Sequence, residues 1–224
     1  IYKLITSDSV GSRFISIESI NPGGNNDDEI ETLSWSPNGQ YLAVGGLLNN
    51  IPSDNLIIYL FNPSLPEGFR LSVIESANPS GNNHSIQSVD WSPYGKYLAV
   101  GIFPPVFSPV MNNHLIVYSF NPNTPMGSRL IEIASADPSG GGDGILAVSW
   151  SPNGQYLAVG GFNQSTPVDD IIVYNFQPNL PTGFRLNIIA SVNPDFSGAG
   201  AVIYSLNWSP ESSFLAAGMI TLVV

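Results

Sequence analysis

Acidic side chains are the residues of this sequence best placed to do chemistry. Asn25–Glu29 reads NNDDE, and further aspartates stand at Asp54, Asp143, Asp169 and Asp170. Oxygen-rich loops of this kind suit Ca²⁺, but NNDDE lacks the alternating ligand spacing of an EF-hand loop. The neighbours Asp27/Asp28 and Asp169/Asp170 point apart in extended chain, so neither pair is placed for shared acid–base work. His84 and His114 each close an NNH tripeptide in a polar loop and have no repeated partner. There is no GxSxG elbow for a serine nucleophile. NPSGNN and DPSGGG are glycine-rich, yet no helix follows to present its N-terminus to a phosphate. The expectation is a non-enzyme with no cofactor and no assigned metal site, calcium being a lesser alternative.

The basic residues are few and oddly regular. All four arginines, Arg13, Arg70, Arg129 and Arg185, follow a glycine by two residues, as GSR or GFR. With a net charge of -11 and a pI near 4.2, the chain offers no cationic surface for nucleic acid or anionic lipid. No apolar run approaches the roughly 20 residues that a membrane-spanning helix needs, so membrane insertion is not expected. There is no cysteine to form a disulfide. Residue 1 is Ile rather than Met, as expected of a processed or truncated product or of the ordered part of a longer one.

The elements that must position these residues repeat. WSPNGQYLAVGG occupies Trp35–Gly46 and recurs unchanged at Trp150–Gly161; diverged copies begin at Trp91 and Trp208. These four tryptophans are spaced 56–59 residues apart. A second apolar run follows each of the first three copies (LIIYLFNP, LIVYSFNP, IIVYNFQP), and then the Gly-x-Arg segment. The N-terminus already carries the last two elements, as IYKLI and SRFISIESINPGG. Each repeat reads as four short strands, A to D. A ends at the Trp, Ser-Pro-Asn-Gly makes a turn, B is QYLAVGG, C is the apolar run and D begins at the Arg. β-branched and aromatic residues dominate, and no stretch has helical periodicity.

A four-stranded unit at this period predicts an all-β fold, a β-propeller of four-stranded antiparallel blades. It forms a single domain over 1–224, with repeats at approximately 1–30 (C and D only), 31–86, 87–145, 146–202 and 203–224 (A and B only). A β-sandwich is the alternative, but sandwiches do not need near-identical quarters. The WSPNGQYLAVGG hairpin resembles the WD-repeat family, whose A–B hairpin commonly reads FSPDGxxLAxG. The chain departs from that family in two places. No Gly-His pair precedes strand A, and Phe61-Asn62, Phe120-Asn121 and Phe176-Gln177 stand where Trp-Asp would end strand C. The family's His/Ser/Asp/Trp hydrogen-bond tetrad is therefore not carried over, and the resemblance implies a divergent, WD-like propeller.

The N-terminal C–D pair and the C-terminal A–B pair together make up one blade. They are expected to meet within one chain, closing a four-bladed ring, or between chains, giving a larger ring or array; the third alternative is that the native protein is longer. Trp to Gly across the A–B hairpin is 10 residues in every copy, and Tyr to Arg across the C–D hairpin is 11. The B–C and D–A connections vary and emerge together on the opposite face. Function is expected on that face, since loops on a rigid scaffold carry recognition. Its candidate interaction residues are Asp27, Asp28, Glu29, Asp54, Asp143, Asp169 and Asp170. Phe103, Phe107 and Met111 join them from the apolar loop GIFPPVFSPVMNNH. The expected function is a non-catalytic scaffold for protein–protein interaction. The alternatives are a structural subunit that self-associates through blade or terminal-strand contacts, and a glycan- or calcium-binding lectin-like propeller.

The repeated tryptophans Trp35, Trp91, Trp150 and Trp208 are assigned to structure. So are the pairs Tyr2/Arg13, Tyr59/Arg70, Tyr118/Arg129 and Tyr174/Arg185. Their fixed spacing predicts a guanidinium lying against a tyrosine ring across each C–D hairpin, worth on the order of 0.5–1 kcal/mol if exposed.

Overall fold

The computed structural model describes residues 1–4, 14–21, 29–48, 54–79, 84–104, 114–138, 144–162, 170–194 and 201–221. Among them the chain is all-β, with sixteen strands. Blade I is β3 (Glu29–Trp35), β4 (Tyr41–Leu47), β5 (Leu56–Phe61) and β6 (Leu71–Ala77). Blade II is β7 (Ser85–Trp91), β8 (Tyr97–Phe103), β9 (Leu115–Phe120) and β10 (Leu130–Ala136). Blade III is β11 (Gly144–Trp150), β12 (Tyr156–Phe162), β13 (Ile171–Phe176) and β14 (Leu186–Val192). A half-blade precedes them, β1 (Tyr2–Leu4) with β2 (Phe14–Ser16), and another follows, β15 (Ala201–Trp208) with β16 (Leu215–Thr221). Strand A starts two residues ahead of each repeat boundary read from the sequence, and strand D starts at the leucine or phenylalanine after the arginine position rather than on it.

Within each blade every strand runs antiparallel to the next in chain order. A single bridge, Phe162 to Val202, also ties blade III to β15. The A strands of successive blades lie side by side, β3 with β7, β7 with β11 and β11 with β15, whereas D strands barely meet. The blades therefore fan out from an inner edge of A strands, the arrangement of a propeller. Among the described residues β1 pairs only with β2, and β16 only with β15.

Why the inner edges can approach so closely is written in strand B. A Cβ added to Gly45 would lie 2.5 Å from Ile86 Cγ2 of the next blade. At Gly101 it would lie 2.6 Å from Ile145, and at Gly160 2.5 Å from Ile203. Each isoleucine fills the space its glycine leaves, and all three are at most 2% exposed. Aromatic rings close the outer part of each seam. Phe120 meets Trp91 edge-on at 5.0 Å and Tyr41 of the preceding blade at 5.0 Å. Phe176 does the same with Trp150 and Tyr97. Such edge contacts add about 0.5–1.5 kcal/mol beyond burial.

Polar groups along the A strands knit the blades in register. Thr32 Oγ1 accepts from the Val89 N–H, and Ser88 Oγ from the Val148 N–H. The indoles of Trp91 and Trp208 donate to the backbone carbonyls of Ser34 and Ser149. Asp90 breaks this pattern. It stands where the other complete blades have Ser34 and Ser149, and its carboxylate accepts the Trp150 backbone N–H at 2.7 Å. The buried Trp150 indole N–H is left without a partner. Burial pushes the Asp90 carboxyl up to about 6, against the opposing pull of the Trp150 and Trp91 N–H groups.

Two stability predictions follow from these seams. A raised carboxyl contributes its full stability below the unfolded-state value and loses it as pH rises through the folded one. Asp90 should thus cost stability between pH 4 and 6, by up to about 3 kcal/mol. Asp90→Ser should flatten the melting profile over that range and raise Tm at pH 7, measured by circular dichroism. Gly101→Val, which forces two methyls into Ile145, should lower Tm at every pH, consistent with about 1–3 kcal/mol for overpacking.

Candidate functional site

The four arginines are the first test of the sequence-derived sites. Arg13 lies outside the described residues. The other three do not lie on tyrosine rings, which corrects the expected pairing. Tyr59 faces Val73 and not Arg70, because the register runs unbroken from Phe61 opposite Leu71, which leaves Arg70 level with Asn62 at the turn. Tyr59, Tyr118 and Tyr174 are buried in the core. Burial pushes the Tyr59 and Tyr174 hydroxyls up to about 12, with the Asp137 charge adding to the effect at Tyr174. Among the described residues the cation over a tyrosine ring is Lys96, 5.3 Å from the centre of Tyr97.

Each guanidinium instead reaches the preceding blade. Arg70 Nη1 donates to the Ile17 carbonyl, and Arg129 Nη1 donates to the Ile74 carbonyl. Arg185 Nη1 donates to the Ile133 carbonyl at 2.6 Å. Ile74 and Ile133 are the bulge residues of β6 and β10. A bulge leaves its backbone unpaired in the ladder, and the next blade's arginine fills that gap. Nε of each arginine folds back onto its own turn, at Leu65, Thr124 and Leu180.

A carboxylate completes two of the seams. Glu18 accepts from the Gly68 and Arg70 N–H groups, and Glu75 from those of Gly127 and Arg129. In the seam between blades II and III the equivalent residue is Ala134, which is buried. Gly127 holds φ +86, a backbone that suits only glycine, and so aims its N–H at the carboxylate.

The opposite face, where A strands begin and C strands begin, holds the predicted interaction residues. Asp27, Asp28, Phe107, Met111, Asp143 and Asp169 lie outside the described residues. Glu29 is exposed at the start of β3. Asp54 is half-buried and accepts from the Ser76 hydroxyl of its own blade. Asp170 is 5% exposed and accepts from the Ala201 N–H at the start of β15. It is a buried inter-blade link, a correction to its placement among the exposed acids. Asn55 and His114 hold the equivalent position in blades I and II. Asn55 donates to the His84 carbonyl, and His114 Nδ1 lies 3.1 Å from Asp137 Oδ1.

Between these links the inner edge opens into a cleft of about 340 Å³ lined by Gln87, Phe103, Leu146, Val202 and Tyr204. Three of its residues share one structural position. Every A strand carries a bulge four residues before its tryptophan, at Glu31, Gln87, Leu146 and Tyr204. The bulge breaks the alternation of the pleat and turns this residue out of the sheet. The same slot is thus an acid, an amide, an aliphatic and a phenol in repeats that are otherwise nearly alike. Phe103 belongs to the predicted set and lines the cleft; Gln87, Leu146 and Tyr204 were missed. The signal was present as one variable column inside a conserved strand, flanked by Ile before it and a small residue after it.

This architecture defines the class of protein: fan-packed four-stranded blades make it a β-propeller. The family model described as "WD domain, G-beta repeat" matches residues 19–57 and 132–166. The chain is a β-propeller, and those two segments of it are similar to WD repeats.

Solved structures share the fold. Sqt1 from Chaetomium thermophilum is similar over 97% of this chain and 47% of its own, at 19% identity and a TM-score of 0.58. The same protein bound to the N-terminus of the ribosomal protein L10 is similar over 85% of this chain and 43% of its own, at 21% identity and a TM-score of 0.56. The periplasmic gluconolactonase PpgL of Pseudomonas aeruginosa is similar over 85% of this chain and 50% of its own, at 16% identity and a TM-score of 0.53. The chain spans about half the length of these structures. A comparison of the sequence with curated proteins gives no match.

Substitutions at the seam test its bookkeeping of donors and acceptors. Arg129→Ala leaves the Ile74 carbonyl unpaired and should cost about 1.5–3 kcal/mol. Ala134→Glu supplies the missing acceptor for the Gly183 and Arg185 N–H groups and should raise Tm. Thermal melts of both variants check the signs.

Proposed function

We propose that the protein is a non-catalytic scaffold that recognises a segment of another protein across the mouth of its inner edge. The observation that carries this reading is the cleft built on the bulge position, where a rigid repeated frame presents a different side chain from each blade. A ring of dissimilar residues on identical supports suits selective contact, and a phenol with neighbouring apolar walls provides the anchor on which interface energy concentrates. Phe103, Leu146, Val202 and Tyr204 form that apolar wall, Gln87 adds an amide, and Glu29 and Glu31 lie exposed on the adjoining strand. The partner is therefore a segment with an apolar anchor and basic flanks, drawn in by the net charge of -11. The likeness to Sqt1, whose complex holds the N-terminus of a ribosomal protein, supports this reading at the level of fold.

A second reading, hydrolysis of a sugar lactone, is favoured only by the likeness to a gluconolactonase. Among the described residues no three His, Cys, Asp or Glu side chains converge to hold a metal ion. The calcium- and glycan-binding alternative rests on Asp27, Asp28, Asp143 and Asp169, all outside the described residues.

Panning a displayed peptide library on the wild-type protein tests the proposal. Enriched peptides should combine an aromatic or aliphatic anchor with Lys or Arg, and Tyr204→Ala and Leu146→Glu should each weaken them at least about tenfold, a loss of about 1.4 kcal/mol or more, with Tm unchanged. Peptides that bind the variants equally well would overturn it, and turnover of gluconolactone by the wild type would favour the second reading.

A further inference from the structure

The A–B turns stand in a row at the end of the molecule opposite the cleft. A Cβ added to Gly95 would lie 3.4 Å from Pro37 Cδ of the preceding turn, and one added to Gly154 would lie 3.6 Å from Pro93 Cδ. The Asn153 N–H donates to Ser212 Oγ of the turn that follows, at 3.1 Å. Two of these turns read SPNGQ and close in the same way. Asn38 Oδ1 accepts the Ser36 hydroxyl at 2.7 Å and the Gln40 N–H at 3.0 Å. Asn153 Oδ1 accepts the Ser151 hydroxyl at 2.7 Å and the Gln155 N–H at 2.9 Å. Blade II reads SPYGK and puts Tyr94 in the place of the asparagine. A phenol has no oxygen close enough to its own backbone to accept that pair, so this turn gives up its side-chain closure. Tyr94 gains no burial in exchange, since it is 83% exposed. A residue that breaks the local rule of its repeat with no gain in packing is the mark of a functional surface.

We propose that Tyr94 and the turn beside it bind a neutral saccharide, with the phenol ring as the platform for one face of a sugar. The ring stands against the next turn: a Cβ on Gly154 would lie 3.7 Å from Tyr94 Cε2. Asn153 and Gln155, on either side of that glycine, are both exposed. A pyranose with equatorial hydroxyls has an apolar C–H face that covers an aromatic ring, and a rim of hydroxyls that both donate and accept. Amides answer both functions. Asn153 commits its Oδ1 to the turn and keeps its Nδ2 donors, while Gln155 offers a donor and an acceptor together. Lys96, held 5.3 Å from the centre of the Tyr97 ring, brings a further donor to the same turn. Charge selects a neutral ligand. Lys96 and Glu211 are the charged residues of the four turns and offset each other, and a net charge of -11 repels anions at long range. An open ring without walls suits the flat face of a sugar, whereas the anchor side chain of a peptide needs a pocket. The acidic loops of the opposite face take no part.

Saturation-transfer difference NMR on the 224-residue chain tests it, with cellohexaose and xylohexaose at millimolar concentration as probes and hexagalacturonate as the charged control. The wild type should transfer magnetisation to ring C–H protons of a neutral probe and not to hexagalacturonate. Tyr94→Phe should keep the transfer, because the platform remains. Tyr94→Asn restores the acceptor of the other turns, so it should raise Tm while removing the transfer. No transfer to either neutral probe in the wild type, equal transfer to hexagalacturonate, or transfer that survives Tyr94→Asn would each overturn the proposal. A Tyr94→Asn chain that loses the transfer together with a lower Tm would make Tyr94 a structural residue and overturn it as well.

Discussion

Three seams in this molecule depend on an isoleucine occupying the space that a glycine leaves empty. Sheets with ordinary side chains pack about 10 Å apart. Blades converging on an inner edge must come closer there, and only a missing Cβ permits it. Gly45, Gly101 and Gly160 provide that room, and Ile86, Ile145 and Ile203 fill it. Once the A strands are side by side, the rest follows from their position. Tryptophan indoles reach the carbonyls of the neighbouring A strand, and the aromatic cluster falls at the wider end of the wedge.

The same constraint separates the conserved from the variable parts of each repeat. Residues inside the wedge cannot change without a cavity or a clash. The bulge residue beside the isoleucine faces away from the packed surfaces and escapes that restriction, which is why Glu31, Gln87, Leu146 and Tyr204 differ. Bulges in the D strands serve the opposite purpose. They leave a carbonyl unpaired at a fixed place, and a single arginine per blade recovers it while tying one blade to the next. Asp90 departs from this economy: a serine there would leave no buried carboxyl to desolvate.

Much of the fold was legible because its signals are local. Ser-Pro-Asn-Gly turns and constant hairpin lengths specify the pairings of A with B and C with D, and a repeated unit of four strands specifies the blade. The bulges were not legible, since nothing in the side chains of Ile74 or Tyr204 announces a shift of one residue. The shift at Ile74 leaves the carbonyl that Arg129 of the next blade reaches, and constant spacing between Tyr59 and Arg70 did not reveal that Tyr59 pairs with Val73. The interaction face was located by loop length and charge, which drew attention to aspartates. One of these, Asp170, is an internal link, and Gln87, Leu146 and Tyr204 of the cleft lie inside strand A, away from the loops that drew attention.

The seam is tested most directly by a double-mutant cycle at Gly45 and Ile86. The account predicts that Gly45→Ala lowers Tm, and that in a chain already carrying Ile86→Ala the same change costs little, because the added Cβ then occupies vacated space. Losses that simply add would contradict it.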